Sequence, residues 1–155
     1  MSSTLSFAYY PGCSSTGTSI EYDMSSRAIC AALDIKLSDV PDWSCCGSTP
    51  AHTVDHTLSS ALSARNLCQV ASMGLTAAVS TCPSCLSNLR TAQHRMKNDG
   101  FREKVNKLLD KPADTTVETK SVLQILVEDY GIEKIKEKVT RPLTGLVVAA
   151  YYGCI

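Results

Sequence analysis

The chain has 155 residues, of which 44% are hydrophobic and 19% charged, and its 15 basic side chains balance 15 acidic ones. This length suits one domain or two small ones, and it allows one buried core. The zero net charge argues against a protein held to nucleic acid or to an anionic membrane by excess positive charge. No apolar run approaches the ~18 residues that a membrane span needs.

Cysteine is the most informative residue type in the composition. Residues 1–5 have neither the basic stretch nor the long apolar stretch of a secretory signal, which disfavours an exported, disulfide-stapled protein and favours the cytoplasm. In a reducing compartment, clustered cysteines indicate a metal, an iron–sulfur cluster or redox chemistry more often than structural disulfides. The eight cysteines are Cys13, Cys30, Cys45, Cys46, Cys68, Cys82, Cys85 and Cys154.

The first ninety residues alternate between strand and helix patterns. Ile20, Met24, Ala28 and Ala31 recur at helical spacing, and we expect this stripe to face the core. The alternation favours an α/β fold with an open, mostly parallel sheet flanked by helices. The predicted elements are a strand at 6–10, a helix at about 19–33, a strand at 34–37, a helix at about 54–73, a strand at 75–80 and a helix that begins at Pro83.

The rest of the chain is richer in charge, and it holds twenty of the thirty charged side chains. We take residues 1–90 as the core of a cysteine-rich domain and residues 91–145 as a charged helical segment that completes or links it. Apolar residues between 122 and 135 predict one or two helices, broken near Gly131.

The final ten residues resemble the start of the chain. Residues 146–154 read as a strand followed by two tyrosines, a glycine and a cysteine, and residues 7–13 have the same order with one added proline. We interpret residues 146–155 as the start of a second, truncated repeat. A chance match of a few positions is the alternative.

Five cysteines follow the ends of three predicted strands. Thirty-one residues separate Cys13 from Cys45-Cys46, thirty-five separate that pair from Cys82, and two separate Cys82 from Cys85. Because the carboxyl ends of parallel strands share one edge, we expect these five thiols to converge there. Cys82 and Cys85 open a helix, whose N-terminus stabilises thiolates.

The number of thiols bears on the kind of site. Adjacent side chains such as Cys45 and Cys46 diverge, so they do not easily bind one tetrahedral ion, but they can bind different metals of one cluster. Five thiolates also exceed the four that zinc or an ordinary cubane cluster takes. The pattern therefore favours an iron–sulfur cluster of unusual shape.

Longer strings around these cysteines resemble a known family. The Cys-Cys-Gly spacing is similar to the cysteine-rich CCG domain, and the fuller strings resemble the N-terminal half of the B subunit of heterodisulfide reductase. Members carry two such domains in tandem, each binding a noncubane [4Fe-4S] cluster through five cysteines. The resemblance makes Cys13, Cys45, Cys46, Cys82 and Cys85 the ligands here, and makes Cys154 a candidate first ligand of a second cluster. The strings are Tyr9-Tyr10-Pro11-Gly12-Cys13, Asp42-Trp43-Ser44-Cys45-Cys46-Gly47 and Ala64-Arg65-Asn66-Leu67.

The resemblance also implies partners and a reaction. The family splits a small-molecule disulfide between the clusters of its two domains, so catalysis is cluster-mediated and no catalytic side chain is assigned. Electrons would come from a ferredoxin-like C subunit, itself supplied by a flavin-containing A subunit. One domain alone is then expected to be inactive or weakly active.

Two other functional classes fit part of the pattern. Cys82-Pro83-Ser84-Cys85 after a strand resembles the redox motif of thioredoxin-like dithiol–disulfide exchangers, but that reading leaves Cys45-Cys46 unexplained. A structural zinc module could use four of the five thiols.

Other residues have simpler interpretations. Cys30 and Cys68 lie within helices and are expected to be small buried hydrophobes. Trp43 is expected in the core, where it would also shield a cluster from water. His52 and His56, four residues apart, are expected to cap a helix or contact the Cys45-Cys46 loop. Arg65 and Asn66 are expected on a helix surface.

Overall fold

The computed structural model describes residues 5–151. Its centre is a four-stranded sheet with the order β2-β1-β3-β4, in which every pair of neighbours is parallel. Helices flank the sheet, so the predicted α/β class with a parallel sheet is confirmed. The strands are β1 Ser6–Tyr9, β2 Lys36–Asp39, β3 Ala77–Ser80 and β4 Glu118–Ser121.

The predicted alternation of strands and helices is found in the first ninety residues. The described chain has eight α-helices and one π-helical segment. They are α1 Gly12–Ser15, α2 Ile20–Ala32, α3 Pro50–Val54, α4 His56–Ser72, α5 Pro83–Arg95, α6 Asp99–Asn106, α7 Val122–Gln124, a π-helical segment Ile125–Gly131, and α8 Ile132–Lys138. Pro83 occupies the first turn of α5 with Cys82 at its N-cap, as its missing N–H allows.

Both faces of the sheet are buried, as is usual for parallel strands. Successive side chains of a strand point to opposite faces. Ala8 and Tyr10 pack with Leu67 and Leu89, which belong to α4 and α5. The second face holds another apolar cluster, formed by Phe7, Tyr9, Cys30, Leu33, Ile35, Val79, Val122 and Ile125.

The predicted buried stripe of α2 is wrong. Ile20 is 47% exposed and Met24 64% exposed. Polar contacts instead set the orientation of this helix: Tyr9 donates a hydrogen bond to Asp23 at 2.5 Å, and the Arg27 guanidinium lies 4.2 Å from the Tyr9 ring centre. The face held against the sheet also includes Ser26 and Cys30, so it is a mixed face that apolar spacing alone could not identify.

The helix predicted at about 54–73 is confirmed as α4, and the short helix α3, which the sequence did not predict, precedes it. The chain breaks at Asp55, which is extended and accepts a hydrogen bond from the Thr57 N–H at 2.6 Å, so it caps α4. The break predicted near Gly131 is confirmed, because Gly131 has φ +97° between the π-helical segment and α8.

The sequence patterns did not indicate strand β4. Its residues, Glu-Thr-Lys-Ser, are all polar, yet Thr119 and Lys120 are buried. The Lys120 ammonium pairs with Asp129 at 2.8 Å, and this hydrogen bond raises the Lys120 pKa. A partly buried ion pair therefore gives the Lys120 ammonium a partner in this polar edge strand.

The strand expected from residue 146 onward is also not found in the described residues. Residues 146–151 have no regular structure, and Val147 is 97% exposed. A run of apolar residues forms a strand only where a neighbouring strand offers hydrogen bonds. Cys154 lies outside the described residues.

Gly12 follows β1 and lies close to the start of α5. Its φ is +70°, and an added Cβ would lie 2.8 Å from the Cys85 sulfur. Gly74, just after α4, also has φ +70°, but nothing lies within 4 Å of its added Cβ. The two glycines thus share a backbone conformation and differ in their surroundings.

We expect Gly12→Ala to destabilise the cluster-free chain more than Gly74→Ala. Both variants incur roughly 1–2 kcal/mol for a left-handed alanine, and Gly12→Ala adds roughly 1–3 kcal/mol of overpacking against Cys85. Denaturant unfolding under anaerobic, reducing conditions measures both costs. Equal costs would show that the Cys85 contact adds nothing.

Candidate metal centre

Three loops at the carboxyl edge of the sheet carry the five cysteines. Cys13 lies in α1, directly after β1. Cys45 and Cys46 lie in the loop between β2 and α3, and Cys82 and Cys85 lie at the start of α5, after β3. The strand order therefore brings residues far apart in sequence to one end of the sheet.

The five thiols form one connected group. The Cys46 and Cys85 sulfurs lie 3.4 Å apart and share a hydrogen bond. The thiols of Cys82 and Cys85 shift each other's pKa, as do those of Cys45 and Cys46, and the Cys13 thiol raises the pKa of Cys45. All cysteines within residues 5–151 are free thiols.

Burial differs across the group. Cys46 and Cys85 are 2% and 3% exposed, Cys82 is half-buried, and Cys13 and Cys45 are exposed. The site therefore has a buried base and an open rim, where another molecule can reach the sulfurs.

Hydrogen bonds lower the pKa of two thiols. The Cys85 thiol lowers the Cys82 pKa to about 5, with help from the Ser14 hydroxyl and from backbone N–H groups at the start of α5. A hydrogen bond from Cys85 likewise lowers the Cys46 pKa to about 7. Cys85 keeps its proton, because both hydrogen bonds and burial raise its pKa. Around neutral pH, a thiol thus lies beside thiolates, the form that binds metals.

Cys45 has opposing influences. A backbone hydrogen bond from Gly47 N–H lowers the Cys45 pKa. Partial desolvation and the neighbouring Cys46 and Cys13 raise that pKa by more, so the net shift is upward. A bound cation would reverse this repulsion.

Tyr10 and Trp43 form an apolar wall beside the thiols. Their rings meet edge to face at 5.8 Å. Burial and the surrounding cysteines raise the Tyr10 pKa, so its hydroxyl stays protonated, and it donates to the Ser44 carbonyl at 2.8 Å. Trp43 is only partly buried, packed against the edge of the core rather than inside it.

Residues 64–67 of α4 hold the loop that precedes Cys45. Arg65 donates to the Asp42 carbonyl at 2.7 Å and pairs with the Asp42 carboxylate. Asn66 is 1% exposed, so the expectation of a surface position is wrong for it. Its carboxamide bonds both backbone groups of Ser44, at 2.9 and 3.0 Å.

A second buried polar group holds the loop after Cys45. Asn88 and Ser63 donate to the Cys46 carbonyl at 2.5 and 2.9 Å, and Ser59 donates to the Gly47 carbonyl at 3.0 Å. Sequence reasoning did not single out any of these three side chains. The only sequence signal for them is weak. They are small polar residues at helical spacing, on helices that were expected to bury apolar faces.

The remaining candidates lie apart from the thiol contacts. Cys30 is buried in the core on the opposite face of the sheet, as expected. Cys68 is only partly buried and donates to the Pro112 carbonyl at 3.5 Å. His52 and His56 are exposed, with ring centres 4.7 Å apart. His52 lines an open cavity of about 380 Å³ next to the site, together with Ser48 and Ser84.

The donor chemistry of the site suits a sulfur-ligated metal group. All five donors are thiols, which are soft ligands that select iron–sulfur clusters, zinc and Cu(I). Within residues 5–151, no three histidine, cysteine or acidic side chains converge in a way that suits a single metal ion. In the same range, no helix combines the length and apolar character needed to cross a bilayer.

Known proteins share this pattern. The family model of the cysteine-rich domain, CCG, matches residues 7–90. The chain is 36% identical to the 8-methylmenaquinol:fumarate reductase membrane anchor subunit of Wolinella succinogenes, over 96% of this chain and 52% of that protein. It is 32% identical to a protein of Archaeoglobus profundus that is named as similar to the B subunit of heterodisulfide reductase, over 96% of this chain and 51% of the relative.

A third relative is matched over a shorter part of its length. The B subunit of the ferredoxin:CoB-CoM heterodisulfide reductase of Methanosarcina mazei is 31% identical over 79% of this chain and 42% of the relative. The chain thus spans about half the length of the curated relatives that it matches. Because the matched range covers more than half of the chain and includes all five clustered thiols, the chain belongs to the cysteine-rich CCG domain family.

Proposed function

We propose that the chain is an iron–sulfur subunit of a heterodisulfide-reductase-like complex that cleaves, or in reverse forms, a small-molecule disulfide. The observation that carries the proposal is the placement of five thiols from three loops at one edge of the sheet, with the Cys46 and Cys85 sulfurs 3.4 Å apart. The proposed ligands of one noncubane [4Fe-4S] cluster are Cys13, Cys45, Cys46, Cys82 and Cys85.

The arrangement of Cys45 and Cys46 supports a cluster over a single ion. The two side chains differ in burial, one exposed and one buried, because neighbouring side chains diverge. A zinc ion takes four ligands around one centre, whereas separate irons of a cluster can accept both. When bound, such a cluster supplies one-electron chemistry and a Lewis-acidic iron for sulfur.

The protein groups around the thiols support that chemistry. The pKa of Cys82, lowered to about 5, leaves this thiol ionised near neutral pH, and the pKa of Cys46, lowered to about 7, leaves it partly ionised, so protons compete less with a metal for both sulfurs. The N-terminus of α5 offsets negative charge on Cys82 and Cys85. Tyr10 and Trp43 cover one side with aromatic surface, which limits water and tunes a reduction potential.

The partners follow from the family and remain part of the proposal. We infer that electrons arrive from a ferredoxin-like C subunit, which a flavin-containing A subunit supplies. A second five-cysteine set, beginning with Cys154 in a repeat that starts near residue 146, would hold the second cluster. The substrate is a small disulfide or the thiols made from it.

A second candidate is electron transfer in a fumarate-reductase-type complex, without disulfide chemistry. The identity of 36% to a fumarate reductase membrane anchor subunit favours it. Both candidate functions need the cluster. A test of disulfide turnover therefore distinguishes them, whereas a test for the cofactor does not.

We expect anaerobic reconstitution to give about four iron and four sulfide per chain. Cys45→Ser, Cys46→Ser and Cys82→Ser should each lower the iron content, because a hydroxyl is a harder and weaker ligand than a thiolate. Cys30→Ala and Cys68→Ala are the matched controls and should retain the iron. Metal and sulfide analysis measures both.

Three results would contradict the ligand assignment or the cofactor. Iron loss in Cys68→Ala equal to that in Cys46→Ser would mean that the five ligands are wrongly chosen. Stoichiometric zinc without sulfide in anaerobically isolated protein would favour the structural zinc module. Redox activity that needs only Cys82 and Cys85 would favour a thioredoxin-like exchanger.

We expect the reconstituted chain alone to turn over disulfide poorly. Reduction of a disulfide to two thiols takes two electrons and two protons, and the family route uses two clusters, whereas one five-cysteine set provides one. Steady-state reduction with an artificial one-electron donor, over a protein dilution series, measures this. Activity that falls on dilution would indicate paired copies, and full specific activity at every dilution would contradict the single-cluster argument.

A further inference from the structure

The segment that carries Cys45 and Cys46 has no secondary structure of its own. Residues 43–47 lie outside every helix and strand, and positive φ values at Asp42 and Gly47 bend the chain on either side. A loop of this kind is ordinarily mobile. Two adjacent thiols that serve one metal group must nevertheless keep fixed and different directions.

Asn66 holds the peptide groups before Cys45. Its carboxamide oxygen accepts from the Ser44 N–H, and its nitrogen donates to the Ser44 and Leu62 carbonyls. The side chain thus pairs with Ser44 as a neighbouring strand would, and it ties this loop residue to α4. Tyr10 adds a further hydrogen bond to the same Ser44 carbonyl.

Asn88 holds the peptide groups after Cys46. It is 8% exposed on α5, and its nitrogen lies 2.5 Å from the Cys46 carbonyl oxygen. The same carboxamide contacts the hydroxyls of Ser59 and Ser63, at 3.1 and 3.2 Å. Those hydroxyls in turn donate to the Gly47 and Cys46 carbonyls.

Together the two asparagines satisfy the backbone on both sides of the cysteine pair. A buried carbonyl without a partner loses its hydration and gains nothing in return, so these bonds select one loop conformation over others. They come from helices α4 and α5, and they leave the two thiols free. A carboxamide also carries no net charge, so it fixes the loop without adding to the negative charge of the thiolates.

We propose that Asn66 and Asn88 are positioning residues, which clamp the backbone on either side of Cys45-Cys46 so that the two thiols point to different atoms of one metal cluster. The inference rests on the proposed cluster, and it adds residues that do not themselves bind metal. It predicts that the clamp acts before the cluster is inserted, because every bond in it joins protein atoms.

The chain offers a matched control for Asn88. Gln93 lies on the same helix, and its carboxamide nitrogen also donates to a backbone carbonyl, that of Val117, at 2.5 Å. Val117 precedes β4 and is remote in sequence from the cysteine loops. Asn88→Ala and Gln93→Ala therefore remove the same kind of bond from the same helix, one made to the Cys46 carbonyl and one made to a segment outside the cysteine loops.

The first experiment needs no cluster. In the reduced, metal-free chain, alkylation of buried Cys46 reports opening of its loop, and alkylation of buried Cys30 reports opening elsewhere. We expect Asn88→Ala to speed Cys46 labelling about tenfold, the effect of losing one net buried hydrogen bond, with Cys30 labelling unchanged. Gln93→Ala should leave the Cys46 rate as in the parent. Equal Cys46 rates in the two variants would overturn the proposal.

The second experiment uses the anaerobically reconstituted chain. Asn88→Ala should bind less iron and give an altered electron paramagnetic resonance spectrum, whereas Gln93→Ala should match the parent. Asn88→Asp keeps the shape, loses the donated bond and adds a charge, so it should also lower the reduction potential. Full iron content and a parental spectrum in both Asn88 variants would overturn the proposal.

A milder variant protects the test against loss of folding. Ser59→Ala removes one donor to the Gly47 carbonyl and keeps Asn88, and it should give a smaller change of the same kind. A parent chain that binds no cluster would instead refute the proposed function, and the labelling experiment would still decide whether Asn88 holds the loop.

Discussion

The rest of the structure depends on holding five thiols from three chain segments at one edge of the sheet. Thiolates so close together repel one another, and burial of Cys46 and Cys85 adds a desolvation cost. The protein offsets these costs with the retained proton on Cys85, the N-terminus of α5, and hydrogen bonds from Ser14 and from backbone N–H groups. The parallel sheet makes the meeting possible, because β1, β2 and β3 all end at the same edge.

The two faces of the sheet have different roles. The face that carries α4 and α5 supports the site. Its buried polar side chains make hydrogen bonds to the backbone of the cysteine loop as well as to one another. The other face contains an apolar core that includes Cys30, closed by α2 and the π-helical segment. Gly12 lies at the boundary, where the turn after β1 comes close enough to the Cys85 sulfur to exclude a Cβ atom.

Sequence reasoning predicted the parallel α/β fold and the meeting of the five cysteines, because strand ends and cysteine spacing are local patterns. It could not assign Asn66 or Asn88, since a polar residue on a helix is usually exposed and only the folded loop provides their partners. The same limit explains the α2 stripe, since the buried face of this helix includes Ser26 and Cys30, with Asp23 bonded to Tyr9. Strand β4 depends on a Lys120–Asp129 pair that no periodicity reveals.

An iron anomalous map of crystals of the anaerobically reconstituted chain would test the central claim most directly. The account predicts iron peaks at the carboxyl edge of the sheet, each within bonding distance of a cysteine sulfur, with Cys45 and Cys46 bound to different irons. Iron at another place, or a single metal ion held by four of the five sulfurs, would contradict it.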